Sequence, residues 1–188
     1  MNSIALLRGI NVGGKHPLPM SELVKIFTEA GCSDVRTYIQ SGNVLFAAPP
    51  TLLPKLPSLV SASIVKRFGY EAPVIIRTVD ELGEIIRANP FRQAGVLDDV
   101  VHVLFLADRP NPATVEKLDA ARSAPDAFIV RGQEIYLHLP NGVARTKLTN
   151  AYFDAKLGMT TTLRNSRTVA KLWEMGRCDD WDSVSRRR

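Results

Sequence analysis

A glycine-rich loop directly after the first apolar run offers the most recognisable pattern for chemistry. Residues 8–15 read RGINVGGK, and from Gly9 onward they fit G-x-x-x-x-G-K, the phosphate-cradling loop of nucleotide hydrolases. His16 stands where that loop requires a Ser or Thr to hold magnesium. Pro17 and Pro19 prevent a helix from starting at the lysine. The sequence therefore argues against a nucleotide hydrolase.

The same glycines still allow two interpretations. They can supply positive φ angles for a tight path of the chain, or they can turn successive backbone N–H groups toward an anion. In the second interpretation, the side chains of Arg8 and Asn11 supply further hydrogen-bond donors. The candidate residues of this first motif are Arg8, Gly9, Asn11, Gly13 and Gly14.

A second motif, residues 38–43 (YIQSGN), supplies Tyr38, Ser41 and Asn43 as candidates. Ser, Gly and Asn are also the residues expected in a plain hairpin turn, which is the simpler interpretation. No Ser-His-Asp arrangement and no acid/base pair of carboxylates stands out in the chain. His102 and His138 sit among Val and Leu, so they are expected to be framework residues.

A third motif joins residues 140–150 (PNGVARTKLTN) to residues 163–172 (LRNSRTVAKL). Basic side chains dominate from 141 to 172, where Asp154 is the single acid. Such a run is usually a solvated face. Basic residues at a helix N-terminus oppose the helix dipole, however, and that placement favours an anion there. The candidates of this motif are Arg145, Lys147, Arg164, Asn165 and Lys171, with Arg167 beside them.

The periodicity of the chain predicts the elements that position these motifs. Apolar runs suitable for strands alternate with amphipathic helices in the order β-α-β-β-α-β, and the order then recurs. We expect Ser21 to cap the first helix, and Asn165 or Ser166 to cap the last helix after a strand at residues 160–163. The predicted fold class is α+β, with two tandem ferredoxin-like (βαββαβ) halves, antiparallel sheets, a connecting helix and a C-terminal helix.

The predicted division of the chain follows from this order. It places the first ferredoxin-like half at 1–78, a connecting helix and loop at 79–99, the second half with its terminal helix at 100–176, and a mobile basic tail at 177–188. The formal net charge is +5, and Arg186, Arg187 and Arg188 supply three of those charges, so the rest of the chain carries +2. Local clusters of basic residues therefore say more about an anionic partner than the total charge does.

The composition predicts a cytoplasmic protein. No apolar run approaches the roughly 20 residues that span a bilayer, so we expect no membrane partner. Residues 4–7 are too short a run for a signal-peptide core. Cys32 and Cys178 stand alone, without partners at metal spacing, so we expect reduced thiols, no metal and no cofactor.

The three motifs resemble the bacterial domain of unknown function 1697. The matching stretches are ALLRGINVGG, TYIQSGNVLF, PNGVARTKLTNAYFDAKLG and TTLRNSRTVAKL. The resemblance implies a tandem α+β fold without an established activity, and it adds Gly42, Asn141, Gly142 and Thr168 to the motif residues. The family pattern reads Thr-Arg-Asn-Trp where this chain has Leu163-Arg164-Asn165-Ser166, which puts a stacking role at Ser166 in doubt.

Three functions remain open from the sequence. The first is binding of a phosphate-bearing ligand, nucleic acid or nucleotide, at the Gly/Asn/Arg-rich motifs between the halves, because Arg and Asn suit phosphate recognition. The second is an enzyme acting on a small phosphorylated substrate, with Tyr38, Ser41 and Lys147 as reactive groups. The third is an interaction module without catalysis. The sequence leaves the oligomeric state undetermined.

Overall fold

The computed structural model describes residues 2–177 and contains eight strands and seven helices in that range. The strands are β1 (Asn2–Leu7), β2 (Ser33–Tyr38), β3 (Asn43–Ala47), β4 (Val74–Thr78), β5 (Val101–Leu106), β6 (Ala127–Arg131), β7 (Glu134–His138) and β8 (Thr161–Asn165). The helices are α1 (Met20–Glu29), α2 (Leu56–Phe68), α3 (Val79–Arg87), α4 (Pro90–Gln93), α5 (Pro112–Val115), α6 (Asn150–Leu157) and α7 (Ser166–Arg177). The expected basic tail, including Cys178, lies outside the described residues except for Arg177, which is the last residue of α7.

The strands form two four-stranded sheets, with the orders β2-β3-β1-β4 and β6-β7-β5-β8. Every neighbouring pair is antiparallel. The α+β class and the antiparallel sheets predicted from the sequence are confirmed. No helix in residues 2–177 is long and apolar enough to cross a membrane.

The described chain divides into two compact units. Unit 1 comprises residues 2–82 and 171–177, and unit 2 comprises residues 83–170. Helices α3 and α7 each begin in one unit and end in the other. Each unit is described below by itself.

In unit 1, α1 and α2 cover one face of the first sheet. Helix α1 buries Leu23, Ile26 and Phe27, which share one face because they recur at helical spacing. Helix α2 buries its own apolar stripe and ends at Gly69, whose φ of 77° suits glycine. These side chains pack against strand residues of the same cluster, including Ala5, Leu7, Val44 and Phe46.

In unit 2, α6 supplies the corresponding apolar cover. Tyr152, Phe153 and Leu157 pack with strand residues that include Leu104 and Leu137. The Thr149 hydroxyl caps α6 by accepting a hydrogen bond from the Tyr152 N–H. Gly158 ends the helix with a φ of 69°.

The two units share details of backbone hydrogen bonding. The N–H of Arg8 donates to Pro73 O at 3.0 Å, and the N–H of Ala107 donates to Thr160 O at the same distance. At the ends of the long helices, Gly69 N–H donates to Val65 O and Gly158 N–H donates to Asp154 O. By these bonds, Val65 in unit 1 corresponds to Asp154 in unit 2. Because the register is also the same, Arg77 corresponds to Arg164.

Two local predictions are wrong. Helix α1 begins at Met20, and its N-cap is Pro19 without a side-chain cap, so Ser21 is an internal residue. Strand β8 extends to Asn165, which places Arg164 within the strand because alternation continues beyond Leu163.

Candidate functional site

The first motif forms a small hairpin with an exposed tip. Val12 and Lys15 pair as an isolated antiparallel bridge, and the Lys15 N–H donates to Val12 O at 3.0 Å. Gly13 and Gly14 between them have φ angles of 57° and 74°. Two positive φ angles in a two-residue connection are the signature of a type I′ turn, which most side chains adopt poorly. The Gly-Gly pair thus has a structural reason that is independent of any anion.

Asn11 joins the first motif to the second. Its Nδ2 donates to Leu18 O and to Gln40 O, both at 3.0 Å, and its Oδ1 accepts the Leu18 N–H at 2.8 Å. The residue has a φ of 55°, a conformation that Asn tolerates better than most non-glycine residues. One side chain therefore joins the end of the 8–18 loop at Leu18 to the 38–43 turn at Gln40.

The second motif is a turn that packs tightly against the first. The Leu7 N–H donates to Gly42 O at 2.8 Å. Asn43 is 0% exposed, and its Nδ2 donates to Tyr38 O at 3.2 Å and to Ser41 Oγ at 2.9 Å. These bonds give Asn43 a framework role inside the turn. Tyr38 and Ser41 remain partly exposed.

A stacked pair of rings supports the first loop from outside the motifs. The His16 and Tyr70 rings lie 4.5 Å apart between centroids, and His16 Nδ1 lies 3.0 Å from Gly9 O. The Tyr70 hydroxyl donates to the backbone oxygens of His16 and Pro17. Burial raises the pKa of Tyr70, which keeps this donor protonated. No local pattern indicated this contact, because 54 positions separate the two residues.

We call the place where these segments meet the loop end of unit 1. It is the end of the sheet at which β1 and β2 end and β3 and β4 begin, and α1 also begins there. Residues 8–21 and 35–43 contain no Asp or Glu. Lys15 is exposed and Arg8 is partly exposed. Helix α1 begins here without a side-chain cap, and its first turn carries Glu22, an acid that pairs with Lys25 at 2.7 Å.

The first part of the third motif lies in unit 2 on an exposed loop. Arg145 and Lys147 are both exposed. Ser123 anchors the loop, because its Oγ accepts the Lys147 N–H at 3.0 Å. Arg122 Nε donates to Lys147 O at 3.1 Å, and its guanidinium lies 4.2 Å from the centre of the Tyr152 ring. Arg122 is thus a third basic residue at this loop, which the motif did not reveal.

The second part of the third motif carries mainly structural contacts. Arg164 is only 9% exposed, and its Nη1 donates to Thr162 Oγ1 at 2.9 Å and to Leu163 O at 2.8 Å. Burial lowers the pKa of Arg164 to about 10. Asn165 caps α7 as expected, since its Oδ1 accepts the Arg167 N–H at 2.9 Å. Arg167 forms an ion pair with Asp99.

The remaining candidate of the third motif, Lys171, belongs to unit 1 and pairs with Glu174 at 3.2 Å. Within residues 2–177, no three His, Cys, Asp or Glu side chains lie close enough together to hold a metal ion. His102 and His138 lie in β5 and β7, which fits the framework role expected of them. The described structure thus unites the first two motifs in unit 1 and places most of the third in unit 2.

A family model described as protein of unknown function (DUF1697) matches residues 1–136. The chain belongs to this family. The matched residues contain the first two motifs, and the third motif lies beyond them.

A solved structure, that of conserved bacterial protein SP0830 from Streptococcus pneumoniae, is similar to this chain with a TM-score of 0.71. The two are 21% identical, and the alignment covers 94% of this chain and 98% of that one. At this identity the similarity concerns the fold alone. No curated protein matches this member of the DUF1697 family.

Proposed function

We propose that this protein binds a phosphate-bearing ligand, nucleic acid or nucleotide, at the loop end of unit 1. The observation that carries the proposal is the hydrogen bond from Asn11 Nδ2 to Gln40 O, which brings the two motifs into one surface. Separate motifs that converge are more informative than either alone, because each by itself has an ordinary explanation as a turn.

The charge of the loop end supports an anionic ligand. The two converging segments carry no acid, and Arg8 and Lys15 lie at the loop end. Arg36 lies inside β2 and donates to Met175 O at 3.3 Å. The N-terminus of α1 lies at the same end without a side-chain cap, and Glu22 in its first turn offsets part of the positive end of the helix dipole. The basic side chains and the helix dipole both favour a negatively charged ligand such as phosphate over an uncharged apolar one.

Exposed apolar residues favour nucleic acid over a free nucleotide. Val12 is 64% exposed and Ile39 is 52% exposed, one on each motif. A single strand presents bases and sugars as well as phosphates, so it can contact both kinds of residue along its length. We therefore take single-stranded RNA or DNA as the first ligand to test.

The test uses a charge reversal at the hairpin tip and a matched reversal elsewhere. Fluorescein-labelled single-stranded RNA and DNA are titrated by anisotropy at about 50 and 200 mM salt, between which phosphate-driven binding weakens steeply. Lys15→Glu should weaken binding about tenfold and reduce the salt slope, because one phosphate contact is lost. Lys55→Glu should bind like the wild type, since Lys55 precedes α2 at the opposite end of the sheet.

Two outcomes would overturn the proposal. One is the absence of binding to RNA, DNA and a nucleoside triphosphate at the lower salt concentration. The other is equal weakening by Lys15→Glu and Lys55→Glu, which would mean that only the total charge matters.

For the architecture, we infer that both units are ferredoxin-like copies of one plan, with the division 1–78, 79–99, 100–176 and 177–188 expected from the sequence. The strand orders β2-β3-β1-β4 and β6-β7-β5-β8 support this inference, because they correspond position by position. Separate expression of residues 1–78 and 100–176 would test it. Failure of both pieces to fold would contradict the division.

A further inference from the structure

The ring of His16 has one covered face and one open face. The covered face stacks on the Tyr70 ring, with 4.5 Å between the centroids and 20° between the planes. One edge of the ring is also occupied, because Nδ1 lies 3.0 Å from Gly9 O. His16 is nevertheless an exposed residue, and no other ring among residues 2–177 stacks on it. Its exposed surface therefore includes the ring face that is turned away from Tyr70.

Hydrogen bonds to the backbone hold the His16 ring in this position. The Asn11 N–H donates to His16 O at 3.0 Å, and the Tyr70 hydroxyl donates to the same oxygen at 3.1 Å. His16 has a φ of 51°, a left-handed conformation in which His is enriched among non-glycine residues. A side chain that is fixed before binding loses little conformational entropy when a ligand contacts it. The loop thus presents a preorganised aromatic surface.

The residues next to the two rings carry opposite charges. Lys15 precedes His16, Glu71 follows Tyr70, and both are exposed. A phosphate group would be attracted by Lys15 and repelled by Glu71. A nucleobase is uncharged and can stack beside either of them. The ring of His16 therefore suits a base, while Lys15 suits the phosphate.

We propose that the open face of His16 stacks on a base of the single-stranded nucleic acid that binds the loop end of unit 1. This inference rests on the proposed function and adds a base contact to the phosphate contact of Lys15. Aromatic side chains stack on every base, so the contact favours strands with bases over bare phosphate chains without selecting a sequence. His16 is the residue that touches the base, and Tyr70 is a positioning residue behind it.

Neighbouring positions in the chain make the two contacts compatible. The Cα atoms of Lys15 and His16 are about 3.8 Å apart, as in any trans-linked pair. Each nucleotide carries a base and a phosphate on one sugar. The two side chains can therefore contact the base and the phosphate of the same nucleotide or of adjacent ones.

The experiment separates the base contact from the phosphate contact. For RNA and for DNA, two fluorescein-labelled strands of about twelve nucleotides are compared by anisotropy, one of mixed sequence and one abasic throughout, at about 50 mM salt. The wild type should bind the strand with bases at least about fivefold more tightly. His16→Asn removes the ring and suits the positive φ, so it should lose this preference and bind the abasic strand like the wild type.

Three further variants define what the ring contributes. Lys15→Glu should weaken the binding of both strands by a similar factor, because it acts on phosphate. His16→Phe retains a ring without Nδ1, so it should keep the preference for the strand with bases. His138→Asn is the matched control, since its imidazole also lies near an aromatic ring, Phe91 at 5.7 Å, but in unit 2. It should bind both strands like the wild type.

NMR of the wild type reports the stack without any substitution. The Cδ2–H and Cε1–H resonances of His16 should move upfield when the strand with bases is added, because a stacked base places them in its ring current. The abasic strand should not produce this shift, and neither strand should shift the ring resonances of His138. This measurement decides the proposal even where His16→Asn does not fold.

Three results would contradict the base contact. These are equal affinity of the wild type for both strands, equal weakening of both strands by His16→Asn, and His16 resonances that do not move with the strand that carries bases. If Lys15→Glu still weakens binding in these cases, the phosphate site stands and only the base contact is wrong. Absence of binding to every strand would contradict the proposed function and this inference together.

Discussion

Gly42 lies so close to Leu7 that a Cβ atom at Gly42 would lie 2.7 Å from Leu7 Cβ. Gly42 also has a φ of 74°, which disfavours any side chain. Gly42→Ala should therefore lower the free energy of unfolding by about 2–4 kcal/mol, from the conformational strain together with the overlap. Urea denaturation measures this change.

Gly14→Ala is the control for Gly42→Ala. Gly14 has the same φ of 74°, but a Cβ there would meet nothing within 4 Å. Only the strain of the positive φ applies, so we expect Gly14→Ala to lower the free energy of unfolding by about 1–2 kcal/mol. Equal losses in the two variants would show that the contact with Leu7 relaxes at no cost.

Asn11 should be required for the junction of the two motifs. Asn11→Asp retains the acceptor for the Leu18 N–H but removes both donated bonds, to Leu18 O and Gln40 O. We expect Asn11→Asp to lower the free energy of unfolding by about 1–3 kcal/mol, as measured by urea denaturation, because two carbonyl oxygens lose their hydrogen-bond donor. Asn11→Gly removes all three bonds, including the acceptor for the Leu18 N–H, while accommodating the positive φ, so a fully stable Asn11→Gly would contradict this role.

The order of the elements could be predicted from the sequence because it depends on local periodicity. Alternating and helical apolar patterns identified each strand and the long helices, and Asn165 was a recognisable cap. The position of Arg164 was not predictable in the same way, since a strand that continues for two polar residues resembles the start of a loop. Its burial depends on the register with Val103, which no local pattern encodes.

The candidate site illustrates the same limit. The glycines of the first two motifs could be identified from their types, but their meeting depends on Asn11 and Gln40, which are 29 positions apart. Asp154 accepts two hydrogen bonds from Thr161 in unit 2, whereas the corresponding residue of unit 1 is the apolar Val65. Each is an ordinary helix residue in the sequence, and only the three-dimensional correspondence shows the difference.

Arg77 and Arg164 should both contribute to stability. Each donates a hydrogen bond to the carbonyl of the preceding residue on an edge strand, and each is buried. Replacement of either by Ala should lower the free energy of unfolding by about 2–3 kcal/mol, because a buried charge-assisted donor is lost. Exposed Arg145→Ala should change it by less than about 0.5 kcal/mol. An unchanged unfolding midpoint in Arg164→Ala would contradict the structural role and leave ligand contact as the better explanation.

His102 should make the protein less stable as the pH falls below neutrality. Burial lowers the pKa of His102 from its ordinary value of 6.5, an effect that the Val100 backbone partly offsets. In the window between the lowered folded pKa and 6.5, the unfolded chain takes up a proton that the folded chain does not. The stabilisation is thus complete above this window and is lost as the pH falls through it.

The measurement compares unfolding free energies at a series of pH values for the wild type and His102→Gln. His102→Gln should show a shallower decline below pH 6.5, since its contribution to proton uptake is removed. A titration of the His102 ring by NMR with a midpoint at or above 6.5 would contradict the prediction, because a buried neutral imidazole requires the opposite shift.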